Sequence, residues 1–176
     1  MKMDKVANSG NDEFYTPKYA VDAILPYIRP GSIVWCPFDT EDSLFVKLLR
    51  ERGCTVTATH IKTGHDFFRT QPPQDCEYIV SNPPYSCKGE VLRRLFELGV
   101  PFAMLVGVVG LFESQARFEM FRDNDFEVLY LSRRVAYFKN YADQKPSLNP
   151  PFSSVYVCHH ILPKQIGFAE INKNNY

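Results

Sequence analysis

No run of eighteen apolar residues occurs in this chain, so no membrane-spanning helix and no membrane partner are expected. The opening segment, MKMDKVANSGNDEF, has no apolar stretch of the kind a secretory signal needs, and cytoplasmic location is the resulting expectation. Cysteine pairing is also missing. The five cysteines are scattered, none in a Cys-x-x-Cys spacing, which argues against a disulfide framework and a zinc ribbon. The four histidines add no ligand spacing, and no metal is expected. His159 and His160 are neighbours on an expected strand, so their side chains point to opposite faces. Net charge is absent as well, with 20 basic residues against 20 acidic. A dedicated nucleic-acid binder is usually basic, so any such contact would come from local patches. Arg93-Arg94, Arg133-Arg134 and the stretch from Lys139 to Lys145 are the candidates.

What is present suits one domain. The chain has 176 residues, 45% of them hydrophobic, enough for a sizeable core. Residues 1–13 are polar and expected to be flexible, and 14–176 are expected to form a single domain with no internal repeat or linker. The pattern FYTPKYAVDAILPYI starts a helix, with Thr16 as a cap and Pro17 in the first helical position. Short apolar runs at 32–36, 54–61, 77–82, 101–110 and 126–132 read as strands. Amphipathic helices separate most of them, EDSLFVKLLRERG, GEVLRRLFELG and FESQARFEMFRDN. RVAYF and SSVYVCHHIL read as two final strands with no helix between them. Alternating strands and helices with unbroken apolar strands predict an α/β fold. The expected sheet is doubly wound and mostly parallel, with an antiparallel pair at one edge. Ligands of such sheets bind at the carboxyl ends of the strands.

One of those ends is unusual. The run YIVSNPPYSCKGE leaves a buried-type strand on Asn82-Pro83-Pro84-Tyr85. Two consecutive prolines cannot pair in a sheet, and Pro83 keeps Asn82 out of helical geometry. The result is a rigid elbow that holds an amide beside an aromatic ring, at the place where an open α/β sheet binds its ligand.

On these residues the chain resembles the S-adenosylmethionine-dependent amino-methyltransferases, above all the small phage-type adenine-N6 DNA methyltransferases. There the Asn-Pro-Pro-Tyr/Phe elbow is the catalytic motif. The resemblance covers most of the chain and implies a Rossmann-like class I methyltransferase fold, S-adenosylmethionine as cofactor, and methyl transfer to the exocyclic amine of adenine, in DNA ahead of RNA. It implies that Asn82, Pro83, Pro84 and Tyr85 are catalytic. NDEFYTP, 11–17, is similar to the N-terminal cofactor motif and brings in Tyr15, Thr16 and Pro17. GHDFF, 64–68, resembles the segment that contacts the cofactor adenine, which points to Asp66 and Phe67. RRVAYF, 133–138, resembles a late motif whose aromatic residue packs on the target base, a place taken by Tyr137. The chemistry of the elbow supports the assignment. The amine of adenine is a poor nucleophile because its lone pair is delocalised into the ring. Two acceptors, the Asn82 side-chain oxygen and the Pro83 carbonyl, can hold its hydrogens and aim the lone pair at a methyl donor. Adenine in a duplex would first be flipped out.

The family's first motif departs from pattern. It normally reads acid, proline, aromatic, then glycines whose backbone amides approach the cofactor. Here the stretch is WCPFDTEDS. Pro37, Phe38 and Asp39 mark the expected cofactor loop, but Cys36 replaces the acid, and Thr40, Glu41 and Asp42 stand where glycines belong. The acid expected after the second strand is His60. Two alternatives follow: a cofactor held differently, with Asp39 or Glu41 taking over its contacts, or a degenerate fold that binds without transferring methyl, such as a phage-encoded regulator. A third acceptor class, the side-chain amide of a protein glutamine, suits the same elbow, because its nitrogen lone pair is delocalised in the same way. No target-recognition domain is expected in the chain, so target readout falls to loops 111–116 and 139–152 or to a protein partner.

Overall fold

The computed structural model describes residues 15–146 and 152–174. The expected flexible segment 1–13, the first four residues of NDEFYTP, and part of the loop at 139–152 lie outside them. Seven strands form one sheet in the order β2-β1-β3-β4-β6-β5-β7. They are β1 (Ile33–Cys36), β2 (Thr55–Ala58), β3 (Tyr78–Ser81), β4 (Phe102–Gly107), β5 (Glu127–Leu131), β6 (Ser154–His159) and β7 (Ile166–Ala169). β2, β1, β3 and β4 are parallel neighbours, and β1 meets β3 with Val34 opposite Tyr78 and Trp35 opposite Ile79. β6 runs antiparallel to both β4 and β5, and β5 pairs parallel with β7.

Both faces of the sheet are covered, which explains the unbroken apolar runs. Alternation sends Val34 and Cys36 to one face and Trp35 to the other. On the first face lie α1 (Lys18–Asp22) and α2 (Leu44–Glu51), through Tyr19, Ala20, Phe45 and Leu49. On the second lie α3 (Lys88–Leu98) and α4 (Gln115–Arg122), through Val91, Leu92, Leu95 and Phe121. Every residue of β4 and β6 is buried. A fully buried Leu or Phe among them contributes about 1.5–3 kcal/mol over an exposed one. α2 begins on Ser43, whose Oγ accepts the N–H of Phe45 at 3.2 Å. α3 ends on Gly99, whose φ of 71° places it in the left-handed region that closes a helix.

The antiparallel pairing expected near one edge is present, but its members differ. RVAYF forms no strand. Val135, Ala136, Tyr137 and Phe138 are buried in extended chain that is tied down piecemeal. The Ala136 N–H donates to the Tyr19 hydroxyl at 2.7 Å, and Phe138 makes isolated bridges to Tyr15 and Pro146. The edge strand is instead β7, reached from β6 by a turn in which His160 has a φ of 55°. Glu127, at the start of β5, holds that turn by accepting the N–H groups of His160, Ile161 and Leu162 at 3.2, 2.8 and 2.8 Å. The first helix is also shorter than the pattern suggests. Pro17 occupies the cap position with no side-chain bond, α1 stops at Asp22, and a separate 3-10 turn, Leu25–Tyr27, surrounds Pro26.

Candidate active site

β3 is flanked by β1 and β4 and delivers Asn82 at its carboxyl end. The two prolines carry the chain away from the sheet into a 3-10 turn, Tyr85–Cys87, that runs directly into α3. Asn82 is half-buried, and its Nδ2 donates to the Thr16 Oγ1 at 3.3 Å. Thr16, read as a helix cap, therefore serves the elbow. Tyr85 is also half-buried. Its ring stands edge-on to Phe152, with centroids 5.0 Å apart, and to Tyr137 at 6.2 Å. Tyr137 is fully buried and its hydroxyl shares a 2.7 Å hydrogen bond with the Ser154 Oγ. Burial pushes the Tyr137 phenol well above its ordinary value, with Tyr85 adding to the effect. Tyr137 thus lies behind Tyr85 rather than on an open surface.

The loop after β1 lies beside the elbow. Pro37, Phe38 and Asp39 are all buried. The Asp39 carboxylate faces inward. It accepts from the Ser43 Oγ at 2.5 Å and from the Ser81 Oγ. Burial pushes its pKa up from 3.8 to about 6, while the hydrogen bonds from Ser43 and Ser81 pull it down. The Ser81 Oγ also accepts the Phe38 N–H at 3.3 Å. The Asp39 N–H goes to the Thr59 carbonyl at 3.1 Å, and the Ser43 N–H to the Thr40 carbonyl at 3.1 Å. Glu41 pairs with Arg50 at the surface. The backbone donors of Phe38, Asp39, Ser43 and Phe45, which flank the positions 40–42 where the glycines of the motif would stand, are all used within the protein.

Tyr15 crosses this end of the sheet. It exchanges backbone hydrogen bonds with Phe138 at 3.3 and 2.8 Å, packs edge-on against Tyr141 at 4.8 Å, and accepts from the Lys62 Nζ at 3.2 Å. Tyr141 donates to the Ser43 Oγ at 3.3 Å. His60, standing where the family places a ribose-binding acid, caps its own 3-10 turn by accepting the Lys62 N–H at 3.0 Å. Asp66 is similarly occupied: its Oδ1 accepts the Phe68 N–H at 3.0 Å. Phe67 is core, 4.8 Å from the Phe38 ring and 5.7 Å from the Trp35 ring. Arg94, one of the candidate phosphate contacts, instead donates to the carbonyls of Phe67 and Thr70 at 3.0 and 2.9 Å.

Tyr15 to Pro17, Pro37 to Asp39 and Asn82 to Tyr85 therefore meet at one end of the sheet. Phe67 and Tyr137 stand behind that surface. Ser43 and Ser81, buried beneath it, and Lys62 and Tyr141, which reach solvent beside it, were not singled out from the sequence. Ser81 adjoins the elbow and Ser43 caps the helix after the β1 loop, so both had a positional signal. Lys62 and Tyr141 had none beyond loop membership.

The fold places the chain among known proteins. No protein-family model matches it and no curated protein matches it. Solved structures do. A modification subunit assigned to a type I restriction enzyme of Vibrio vulnificus YJ016 superposes with a TM-score of 0.54 at 12% identity, over 88% of this chain and 46% of that one. The methyltransferase subunit of a type I restriction-modification system from Streptococcus thermophilus gives 0.54 at 13% identity, over 90% and 47%. The chain spans about half the length of these neighbours. It has the Rossmann-like fold of class I methyltransferases, an α/β sheet wound on both faces with antiparallel pairing toward one edge.

Proposed function

We propose that this chain transfers methyl from S-adenosylmethionine to the exocyclic amine of adenine, in DNA ahead of RNA. The carrying observation is the elbow: Asn82-Pro83-Pro84-Tyr85 at the carboxyl end of a central strand of a methyltransferase fold. Asn82 and the Pro83 carbonyl accept the two amine hydrogens, and the prolines keep those acceptors fixed before the substrate arrives. Tyr85 offers its ring to the flipped base, with Tyr137 and Phe152 bracing it from behind. The cofactor, when bound, supplies an electrophilic sulfonium methyl.

The residues fit the acceptor half of this chemistry better than a glycine motif's cofactor half. The N–H groups of Phe38, Asp39, Ser43 and Phe45 are engaged, and the cofactor carboxylate would fall to the Lys62 ammonium, with Tyr15 and Tyr141 as aromatic walls. Tyr15, Thr16 and Pro17 would border the cofactor, with Pro37, Phe38, Asp66 and Phe67 shaping the floor, while the Asp39 carboxylate is turned inward to Ser43 and Ser81. Arg133, Arg134 and Lys139 are exposed and suit phosphate contacts. The solved neighbours are named as subunits of larger systems, in keeping with a protein partner that supplies target recognition. A second reading, acceptor binding without transfer, is favoured by one observation: of the side chains nearest the usual cofactor contacts, Asp39 and His60 are committed to bonds within the protein and Glu41 is paired with Arg50 at the surface.

Transfer of labelled methyl to mixed DNA, RNA and cell-extract protein tests the proposal. Asn82→Ala is expected to lower the rate about a hundred- to a thousandfold while its thermal melt stays close to the parent's. An early melt with an undiminished rate would make the elbow only a turn. A parent protein that labels none of the three acceptors would favour the second reading.

A further inference from the structure

Asp39 does more than fill a loop. Its carboxylate takes the hydroxyls of Ser43 and Ser81, and its N–H takes the Thr59 carbonyl. Ser43 in turn holds the N-terminus of α2 and receives Tyr141. Ser81 also receives the Phe38 N–H. One side chain therefore joins the end of β1, the start of α2, the Tyr141 loop and the last residue of β3, while its backbone reaches the end of β2. Ser81 is the residue immediately before Asn82.

We infer that Asp39 is a positioning residue for the elbow: by fixing Ser81 it fixes the direction in which Asn82 leaves β3. Given the role proposed for Asn82 above, this makes Asp39 part of the aim of the acceptor amine and not of the cofactor's grip. The geometry supports it in two ways. Pinning the Ser81 hydroxyl between a carboxylate and the Phe38 N–H holds its side-chain rotamer and the peptide that carries Asn82. Asn82 is held from the other side by Thr16 at 3.3 Å, so the amide sits between two fixed supports. A misplacement of the reacting group by about 1 Å can cost a hundredfold in rate, so supports of this kind matter to a transfer reaction. A purely structural clasp would be better served by an uncharged group, because a buried carboxylate is disfavoured when ionised. The other titratable groups that face it are Cys36 on β1, Tyr141 and Tyr156 on β6. Burial pushes all three upward, so Asp39 is the member of the cluster whose charge changes near neutral pH.

Side-chain amide NMR of the full chain tests the link without relying on activity. The Asn82 amide pair is identified by its disappearance in Asn82→Ala and followed from about pH 5 to pH 8, the range around the ordinary titration of a near-neutral group. It is expected to shift with a midpoint near the Asp39 value of about 6 in the parent and to stay still in Asp39→Asn. A parent pair that does not move, or one that moves equally in Asp39→Asn, overturns the inference. Methyl transfer by Asp39→Asn and Ser81→Ala is the second arm. About a ten- to hundredfold loss in kcat with an unchanged cofactor KM is expected, together with loss of the inflection near pH 6 in Asp39→Asn. Unaltered kcat in both variants also overturns it. If the parent transfers no methyl, the proposed function fails, and the NMR arm alone decides the positioning role.

Discussion

Asp39→Asn is expected to make the protein more stable at neutral pH, and the amount can be worked from the site. In the unfolded chain this carboxyl ionises near 3.8, while in the folded protein it keeps its proton until about pH 6. Between those values the folded state binds more protons than the unfolded one. Stability therefore falls as pH rises through that window and stays at the lower level above it. The rise is about two pH units, and each is equivalent to about 1.4 kcal/mol, so ionised Asp39 costs the native state about 3 kcal/mol at neutral pH. Asparagine matches the shape of the protonated acid, with one acceptor and one donor for the hydroxyls of Ser43 and Ser81. It should stay in contact with both serines and lose the cost, but with one hydrogen bond reversed in direction, which alters the hold on Ser81. For a chain of this size about 3 kcal/mol corresponds to a rise of about 6–12 °C in Tm. Thermal melts of both proteins at a series of pH values would read it. The two curves should nearly coincide at the acid end and separate between pH 4 and 6.5, with the variant above. A variant that melts lower at neutral pH, or a gap that does not depend on pH, would refute the reasoning. A stabilised variant that transfers methyl poorly is the pattern expected when a group is kept for function at the expense of stability.

Two further substitutions probe the frame of the site. Lys88 opens α3 just after the elbow, is buried, and donates to the carbonyls of Gly107 at 3.0 Å and of Val109. Lys88→Met should cost about 1–3 kcal/mol in a denaturant melt by leaving those carbonyls without their donor, and an unchanged midpoint would show that the bonds contribute nothing. Glu127→Gln should cost a similar amount, about 1–3 kcal/mol, because an amide nitrogen would face one of the N–H groups of His160, Ile161 and Leu162 that the carboxylate now accepts. Faster amide exchange confined to residues 160–169 is the expected accompaniment, and uniform exchange behaviour would count against the turn-holding role.

Much of the frame could be read from the chain because a doubly wound sheet writes its strands as continuous apolar runs. β1, β3 and β4 fall where IVWC, YIVS and FAMLVG stand, and Ser81–Asn82 marks the end of β3 in both sequence and structure. β7 gave no such signal. IGFA is short, contains a glycine, and has no residue in the fully buried class, as an edge strand can. RVAYF shows the converse. Its apolar residues are buried, so the pattern reported burial correctly, but no pattern names a partner. The partners turned out to be a tyrosine hydroxyl 117 residues away and isolated bridges from Phe138 to Tyr15 and Pro146, not a ladder. Thr16 looked like a cap because threonine often is one, until a contact 66 residues away in sequence gave its hydroxyl to Asn82.

The β1 loop was least legible, and the reason is electrostatic. An aspartate in a run of Asp, Thr, Glu and Asp is normally solvated, because carboxylates are seldom buried unless they are paired. Asp39 is buried because two hydroxyls close on it, one from Ser43 four residues on and one from Ser81 42 residues on. Neither serine is distinctive alone. Together they turn the carboxylate inward, and the N–H groups of Phe38, Asp39 and Ser43 find acceptors within the protein in the same closure. Through Asp39 and Ser81 the loop after β1 braces the neighbouring strand end. Asn82 is held on one side by that brace and on the other by Thr16, a pair of contacts that no residue type alone could have announced.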